Sequence, residues 1–571
     1  YRFSSKSLQD MNKGINIIDI ANYRALTTVV PWQYALSMWV RVIGLRPIDS
    51  SIATNQVTIR NYAVSMTKLN AQLINTLTDM DYEKLNDIFF DRNINLWVPY
   101  TSQTFDHGSV DTFTALNILS NKYIQMVSWN KSYLLLNNDT DFLFLLNNTV
   151  NDFLVRSQKQ IALAESTVNN IIDTNQNLVT GFVVLEILAL CSIIIALLLV
   201  IYKVIKSYLK LFKVLQKVEQ SVVQERLSNL EYFREYFIKD IEEEEFIAKM
   251  ESYFDRTDKH RKKKTRNHEQ AKADKYHRNE MTIQSLALST VKALLLALAL
   301  VFMVMTVIIS LYLTSNNTLD SLKVITSRLS ITYKISFAFD LAFGNFYHNI
   351  AFQGQPSFTV GYTSSLAYLN GTLNFLSNAN EQLLDAFTEP GQGIIDPEIE
   401  SFFRSDLCDV INQTVYNSCI SATNGQSFGL LGVNSNYVLS HQYYLNEYLK
   451  NPTFAAAKPL LANYVSAIGK SISVLEQAYY WLRFYLLDSF DETSVKHQAT
   501  NNKLFYIVLM SLLISTVLIQ LITLNKYKKM DQGIKKVLKV VPSQIIFNNK
   551  KFLYYLKNEF NNEIKCINEL I

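Results

Sequence analysis

Three blocks of about 20 consecutive apolar residues interrupt the chain, at 181–202, 293–313 and 504–524, the length a helix needs to cross a hydrocarbon core of roughly 30 Å. They are apolar all round, whereas a helix packed against a soluble core keeps a polar stripe. Outside them apolar residues recur every three or four positions, as in SLQDMNKGINIIDIANYRALTTVV from Ser7 and AAAKPLLANYVSAIGKSISVLEQAYYWLRFYLLDSF from Ala455, which predicts amphipathic helices. The pattern therefore predicts an all-α membrane protein with three transmembrane helices and two helical-bundle domains, at 1–180 and 314–503. The stretches 161–177 and 476–502 are expected to run directly into spans, and the breaks near Pro99 and across 389–397 to be loops between helices.

Composition supports long helices, because only 15 glycines and 9 prolines serve 571 residues. A mean hydropathy of +0.05 despite long polar stretches means that the apolar residues are gathered into blocks. The net charge of +4, from 54 basic and 50 acidic residues, points to no particular partner. The placement of charge is more informative. Lys203, Lys206, Lys210, Lys213 and Lys217 follow the first block, Lys272, Lys275 and Arg278 precede the second, and Lys526, Lys528, Lys529, Lys535 and Lys536 follow the third. Lysine-rich flanks mark the cytoplasmic side, so 203–288 and 525–571 are expected inside and the two bundles outside. Lys203, Lys206, Lys210, Lys213, Lys526, Lys528 and Lys529 are candidates for lipid-headgroup contact.

Asn-x-Ser/Thr sequons provide a separate test of this topology, since they are modified only in the secretory lumen. They occur at Asn130, Asn138, Asn147, Asn316, Asn370 and Asn412, all in the segments assigned outside. Of the four cysteines, Cys191 lies in the first block and Cys566 in the tail, where reduced thiols are expected. Cys408 and Cys419 share the second outer segment and are expected to form a disulfide there. Within the blocks, Glu186 lies about one and a half turns from the outer boundary. Intramembrane carboxylates often mark ion or proton paths, but one so shallow is read first as reaching the interface or bonding a neighbouring helix. Gln520 is likewise read as an interhelical hydrogen bond.

Signatures of catalysis are missing from the sequence. His107, His260, His268, His277, His348, His441 and His497 never pair at metal spacing, and there is no phosphate-cradling glycine loop or nucleophile elbow. No enzyme activity, metal or cofactor is expected. The basic run KHRKKKTR at 259–266 is read as a solvated segment or a lipid contact; without interleaved aromatics it gives no reason to expect nucleic acid. The expected partners are the bilayer, further copies of the chain and other membrane proteins.

The chain also repeats itself. KVLQKVEQSVVQERLSNLEYFREYFIKDI from Lys213 aligns without a gap on KVLKVVPSQIIFNNKKFLYYLKNEFNNEI from Lys536. Val214 then pairs with Val537, Leu215 with Leu538, Tyr232 with Tyr555 and Phe237 with Phe560, and the first block falls on the third. This is read as a duplicated unit of span, outer domain, span and inner helix. A further span, or a signal peptide since removed, is expected ahead of Tyr1 to carry the first outer domain across the membrane, and the repeat favours a span. The segments KVLKVVPSQIIFNNKKFLYYL and YFREYFIKDIEEEEF resemble the tiny macrocysts family of large multi-pass membrane proteins of protists. That resemblance implies many spans, long outer segments and association with a PAS-type sensory domain, of which nothing is read in these residues. Two functions fit: a receptor-like protein passing a signal from outer bundles to inner juxtamembrane helices, or a structural or adhesive membrane glycoprotein of a surface assembly. A transporter or channel subunit is the weaker third. The expected location is the plasma membrane or a ciliary membrane.

Overall fold

A computed structural model describes residues 2–45, 51–78, 89–100, 104–128, 140–150, 152–215, 268–352, 365–389, 393–394, 396–404, 407–411 and 429–540. These residues are overwhelmingly helical. The chain falls into two compact units, one of Tyr1–Thr180 with Leu313–Lys503 and one of Gly181–Tyr312 with Leu504–Ile571. The two outer segments, expected as separate domains, are thus one unit with one apolar core. Each segment presents helical stripes that find their partners in the other segment, a long-range pairing that local periodicity cannot reveal.

In chain order the first segment contributes α1 (Arg2–Val42), α2 (Ser51–Thr78), strands β1 (Ile94–Tyr100) and β2 (Thr104–Val110), α3 (Thr112–Val127), α4 (Thr140–Val150) and the start of α5 (Asp152–Leu215). The second contributes the end of α6 (His268–Phe352), α7 (Ser365–Ser377), α8 (Ala379–Phe387), strands β3 (Thr388–Glu389) and β4 (Gly393–Ile394), α9 (Pro397–Arg404), α10 (Leu407–Val410), α11 (Leu430–Lys450) and the start of α12 (Phe454–Val540). Among the described residues both segments share one order: long helix, shorter helix or helices, two-stranded hairpin, further helices, long helix.

The hairpins correct the expectation of plain loops at Pro99 and 389–397. β1 pairs antiparallel with β2, with Trp97 opposite His107 and Pro99 opposite Phe105, and β3 pairs with β4. Ile94 and Leu96 are buried while Asn95 between them is exposed, the alternation of a strand with one face on a core. Pro99 is tolerated because a two-stranded ribbon has a free edge.

Helix stripes explain the rest. α3 begins where the Asp111 side chain accepts hydrogen bonds from the Thr114 amide at 2.9 Å and the Thr114 hydroxyl at 2.7 Å, satisfying an orphan donor of the first turn. It buries Phe113, Leu116, Ser120 and Tyr123. α11 buries Val433, Tyr437, His441, Leu445 and Tyr448 at the same spacing. Two glycines allow close approach. A Cβ at Gly344 of α6 would lie 2.7 Å from Trp32 Cε3 and closer still to Cζ3, and one at Gly429 would overlap the backbone of Phe403 and Arg404.

The second unit has a small core of Val183 and Leu190 from α5, Ile308 from α6, and Leu504 and Val508 from α12. Around it large apolar side chains face outward, including Leu185 at 64% and Phe302 at 69% exposure, with Leu188, Met303, Tyr506, Met510 and Val517. Two helical stretches, Phe144–Ile195 and Val301–Ile350, contain windows long and apolar enough to cross a membrane, with 11% of each window buried. Two, rather than the three expected, emerge among the described residues. The expected span at 504–524 lies within α12, where many of the side chains from residue 512 on fall outside the description.

Candidate functional site

Buried polar and charged groups of the first unit gather where α1, α6 and α12 meet. Their sequences place lone charges in apolar runs: Asp19 in INIIDIANY, Asp340 in FAFDLAF, Glu476 in VLEQAYYWL and Arg483 in WLRFYLL. Helical periodicity turns those positions inward with their apolar neighbours, so each charge must find a partner or become neutral.

Asp19 and Arg483 pair with each other. Arg483 Nε and Nη2 each lie 2.7 Å from a separate carboxylate oxygen of Asp19, with side-chain exposures of 12% and 13%. The Tyr333 hydroxyl donates to Asp19 Oδ1 as well. The guanidinium lies over the rings of Tyr23 at 4.5 Å and Phe484 at 5.1 Å. Burial opposes the charge on Arg483, but the Asp19 hydrogen bonds and the surrounding negative groups raise its pKa overall. This is a bidentate fork in an aromatic cage.

Asp340, 1% exposed, adopts the other solution. Gln33 of α1 donates to the Asp340 backbone carbonyl and, at 3.4 Å, to its Oδ1, while its Oδ2 is buried with no hydrogen-bond donor among the described residues and the carboxyl of Glu476 acts on it electrostatically. Two buried carboxylates that act on each other without a donor between them favour the neutral, protonated form. Burial, reinforced by the charge of Glu476, pushes Asp340 well above the usual carboxylate range, and burial pushes Glu476 up to about 7. Tyr34 beside them rises to about 12, first through burial and then through their charge.

Histidines complete the polar core. His441 is fully buried among Phe346, Tyr464 and Tyr437, with Tyr464 Oη 3.5 Å from its Nδ1, and burial lowers it to about 3. His348 stacks on Trp32 and is lowered to about 4 by burial. His497 lies where α6 and α12 meet, 3.0 Å from Thr318 Oγ1 and 2.9 Å from Asn501 Nδ2. Arg24 of α1 is buried on neutral partners, donating to Asn70 Oδ1 at 3.3 Å and Gln160 Oε1 at 3.1 Å. Burial lowers it to about 9.

The positions singled out from the sequence are dispersed. Asn370 is exposed on α7; Asn316 is half-buried on α6, with the Thr318 of its sequon held by His497. Asn147 lies on α4, and Thr149 of its sequon is buried against the Tyr123 hydroxyl at 2.8 Å. Asn130, Asn138, Asn412 and Cys419 lie outside the described residues, as does the 259–266 run. Cys408 is half-buried and disulfide-bonded, and Cys191 is a free, exposed thiol. Lys206 is exposed on α5 with its ammonium 5.6 Å from the Tyr202 ring centre. The side chains of Lys203, Lys210, Lys213, Gln520, Lys526, Lys528 and Lys529 fall outside the description, though their backbones are helical. Glu186 is half-buried, with no hydrogen-bond partner for Oε2 among the described residues. Among the described residues no cluster of three or more His, Cys, Asp or Glu side chains is placed to hold a metal.

The chain matches no protein-family model, no curated protein and no solved structure. What defines its class is a mostly helical build with, among the described residues, two helical stretches long and apolar enough to cross a membrane.

Proposed function

We propose that the chain is a multi-pass membrane protein of receptor-like type, in which the outer unit passes an input to inner juxtamembrane helices through spans at 181–202, 293–313 and 504–524. One observation carries this reading: α5, α6 and α12 each contribute to the core of the first unit and contain, in the same unbroken helix, an apolar stretch whose large side chains face outward. Such side chains need lipid as their solvent. The lysines after 202 and 524 set 203–288 and 525–571 inside. Outside, Asn370 offers the more accessible of the two sequon asparagines whose side chains are described, and Cys408 paired with Cys419 would close a short loop. The shared order of elements supports duplication. The likeness to the tiny macrocysts family rests on 232–246 and 536–556, and is proposed on those residues alone.

The test is single-cysteine labelling with a membrane-impermeant maleimide in a Cys191→Ser, Cys566→Ser background. Asn370→Cys is expected to react on intact cells and Lys206→Cys only after permeabilisation; labelling of both on one side overturns the topology. For transmission, Asp19→Asn in the outer core is expected to change hydrogen exchange over 203–215 in lipid nanodiscs. Unchanged exchange there, with altered exchange in α1, leaves a membrane protein but removes the receptor reading.

A further inference from the structure

The polar contacts around His497 have a direction. The Thr318 hydroxyl donates to the Ser315 carbonyl at 2.7 Å, so its lone pairs are what it offers to His497 Nδ1 at 3.0 Å, and Nδ1 carries the ring proton. On the other edge Asn501 Nδ2 faces Nε2 at 2.9 Å. That orientation of the amide matches the Ser315 hydroxyl, which donates to Asn501 Oδ1 at 2.9 Å. All four side chains are satisfied in one polarity, and only a neutral imidazole fits it.

We propose that His497 and Asn501 form a proton-operated latch between α6 and α12, closed with neutral histidine and opened by protonation of Nε2. A second ring proton would set two N–H groups face to face. The conflict is relieved only when the Asn501 amide turns over, so that Oδ1 accepts from Nε2–H and Nδ2 faces Ser315 Oγ, whose own proton must then find another acceptor. The ring is 2% exposed, and no counter-charge is held against it among the described residues. On α12, Lys496 pairs with Glu492 at the surface and Lys503 is exposed. On α6, Asp320 accepts from Gln176 of α5 and Lys323 pairs with Asp173 of α5. On α1, Asn12 accepts from Ser494, and the charged groups nearest in sequence are Asp10 and Lys13. None of these enters the balance that sets the ring's proton affinity: burial lowers it to about 4, opposed by the Ser315 backbone. An imidazolium here is a buried, uncompensated charge, and the α6–α12 contact yields to water instead. Ser315 and Thr318 lie just after the 293–313 stretch and Asn501 just before 504–524, so opening loosens both helices next to their apolar stretches. That consequence rests on the membrane reading; the latch itself belongs to the first unit.

The test uses the full chain in lipid nanodiscs. Nitrogen NMR of labelled histidine is expected to show His497 as the Nδ1–H tautomer at neutral pH. Hydrogen exchange, corrected for its intrinsic pH dependence, is expected to show 313–322 and 494–503 losing protection together as pH falls from the ordinary imidazole range toward about 4. Asn501→Asp supplies a carboxylate that accepts from Nε2–H and compensates the imidazolium, so both segments are expected to stay protected to lower pH, the transition shifting down by about one unit or more or disappearing. His497→Gln abolishes the local transition while acid opening around His441 persists. The proposal falls if the neutral ring is the Nε2–H tautomer, if Asn501→Asp leaves the transition in place, or if His497→Gln opens at the wild-type pH. Should Asn501→Asp fail to fold, the tautomer and His497→Gln still decide. Because these readouts come from the first unit, a latch that opens without altering 203–215 sinks the receptor reading and not the latch.

Discussion

Replacing Arg483 by methionine is expected to cause one of the largest losses of stability available in the first unit. The substitution keeps most of the apolar stem but leaves the Asp19 carboxylate, 13% exposed, with the Tyr333 hydroxyl as its one hydrogen-bond donor among the described residues. Removing one member of a buried pair costs about 3–5 kcal/mol, most of it the charge left behind. The residual exposure of both partners places the loss near the lower end, about 3 kcal/mol. Asp19→Asn should cost less, about 2 kcal/mol, because the stranded guanidinium keeps the faces of Tyr23 and Phe484 at about 0.5–1 kcal/mol each. The double variant strands no charge, so its loss should fall short of the sum of the singles by at least about 1 kcal/mol. The assay is denaturant unfolding of the full chain in nanodiscs, followed by tryptophan fluorescence at two salt concentrations. Little change with salt is expected, since buried pairs are weakly screened. Additive single losses, or single losses below about 1 kcal/mol as for a surface pair, would refute the reasoning.

Gly344→Ala should destabilise by about 1–2 kcal/mol, because overpacking against buried Trp32 outweighs the gain in helix propensity; combined with Trp32→Leu its cost should shrink, and an additive pair of unfolding midpoints would count against the contact. Glu476→Gln should raise thermal stability at pH 8 and leave pH 4 nearly unchanged. A carboxyl raised to about 7 in the fold contributes stability that is full below its unfolded pKa and lost as pH rises through the folded one, so equal shifts at both pH values would contradict a protonated carboxyl. His441→Gln should flatten the acid arm of the stability profile. A histidine lowered to about 3 contributes stability that is present above its unfolded pKa and lost as pH falls toward the folded one, so an unchanged acid midpoint would remove His441 from that role.

How much of this was legible in the sequence depends on the range of the interaction. The entry of α5 and α12 into apolar stretches could be read from 161–202 and 476–524, because helix and apolar block follow without a breaker. The first hairpin was hidden by Pro99, which signals a break and is tolerated because the ribbon has a free edge. The union of the two outer segments was hidden for another reason, since Asp19 and Arg483 are 464 positions apart. A lone acid in INIIDIANY and a lone base in WLRFYLL were complementary clues, but nothing local says that they meet. His497 carried no signal either, because its partners Ser315 and Thr318 belong to a distant helix.

The order of these buried polar contacts along the helices is itself informative. On α1 the positions 12, 19 and 33 ascend while their counterparts on α12, 494, 483 and 476, descend, Gln33 reaching Glu476 through Asp340. The two helices are antiparallel and pinned at three levels. Between α6 and α12 the levels are Thr318 with His497, Tyr333 with Arg483, and Asp340 near the charge of Glu476. The apolar stripes between these levels are runs of Ile, Leu, Phe and Tyr that would tolerate a slip of one helical turn, about 5.4 Å, with modest loss of packing. At each polar level the same slip would strand a charge or an orphaned donor in the core, at a cost of about 1–5 kcal/mol apiece. The polar groups therefore fix the register of three long helices that apolar packing alone would leave loosely specified. A change in protonation or pairing at any level acts on the relation between whole helices.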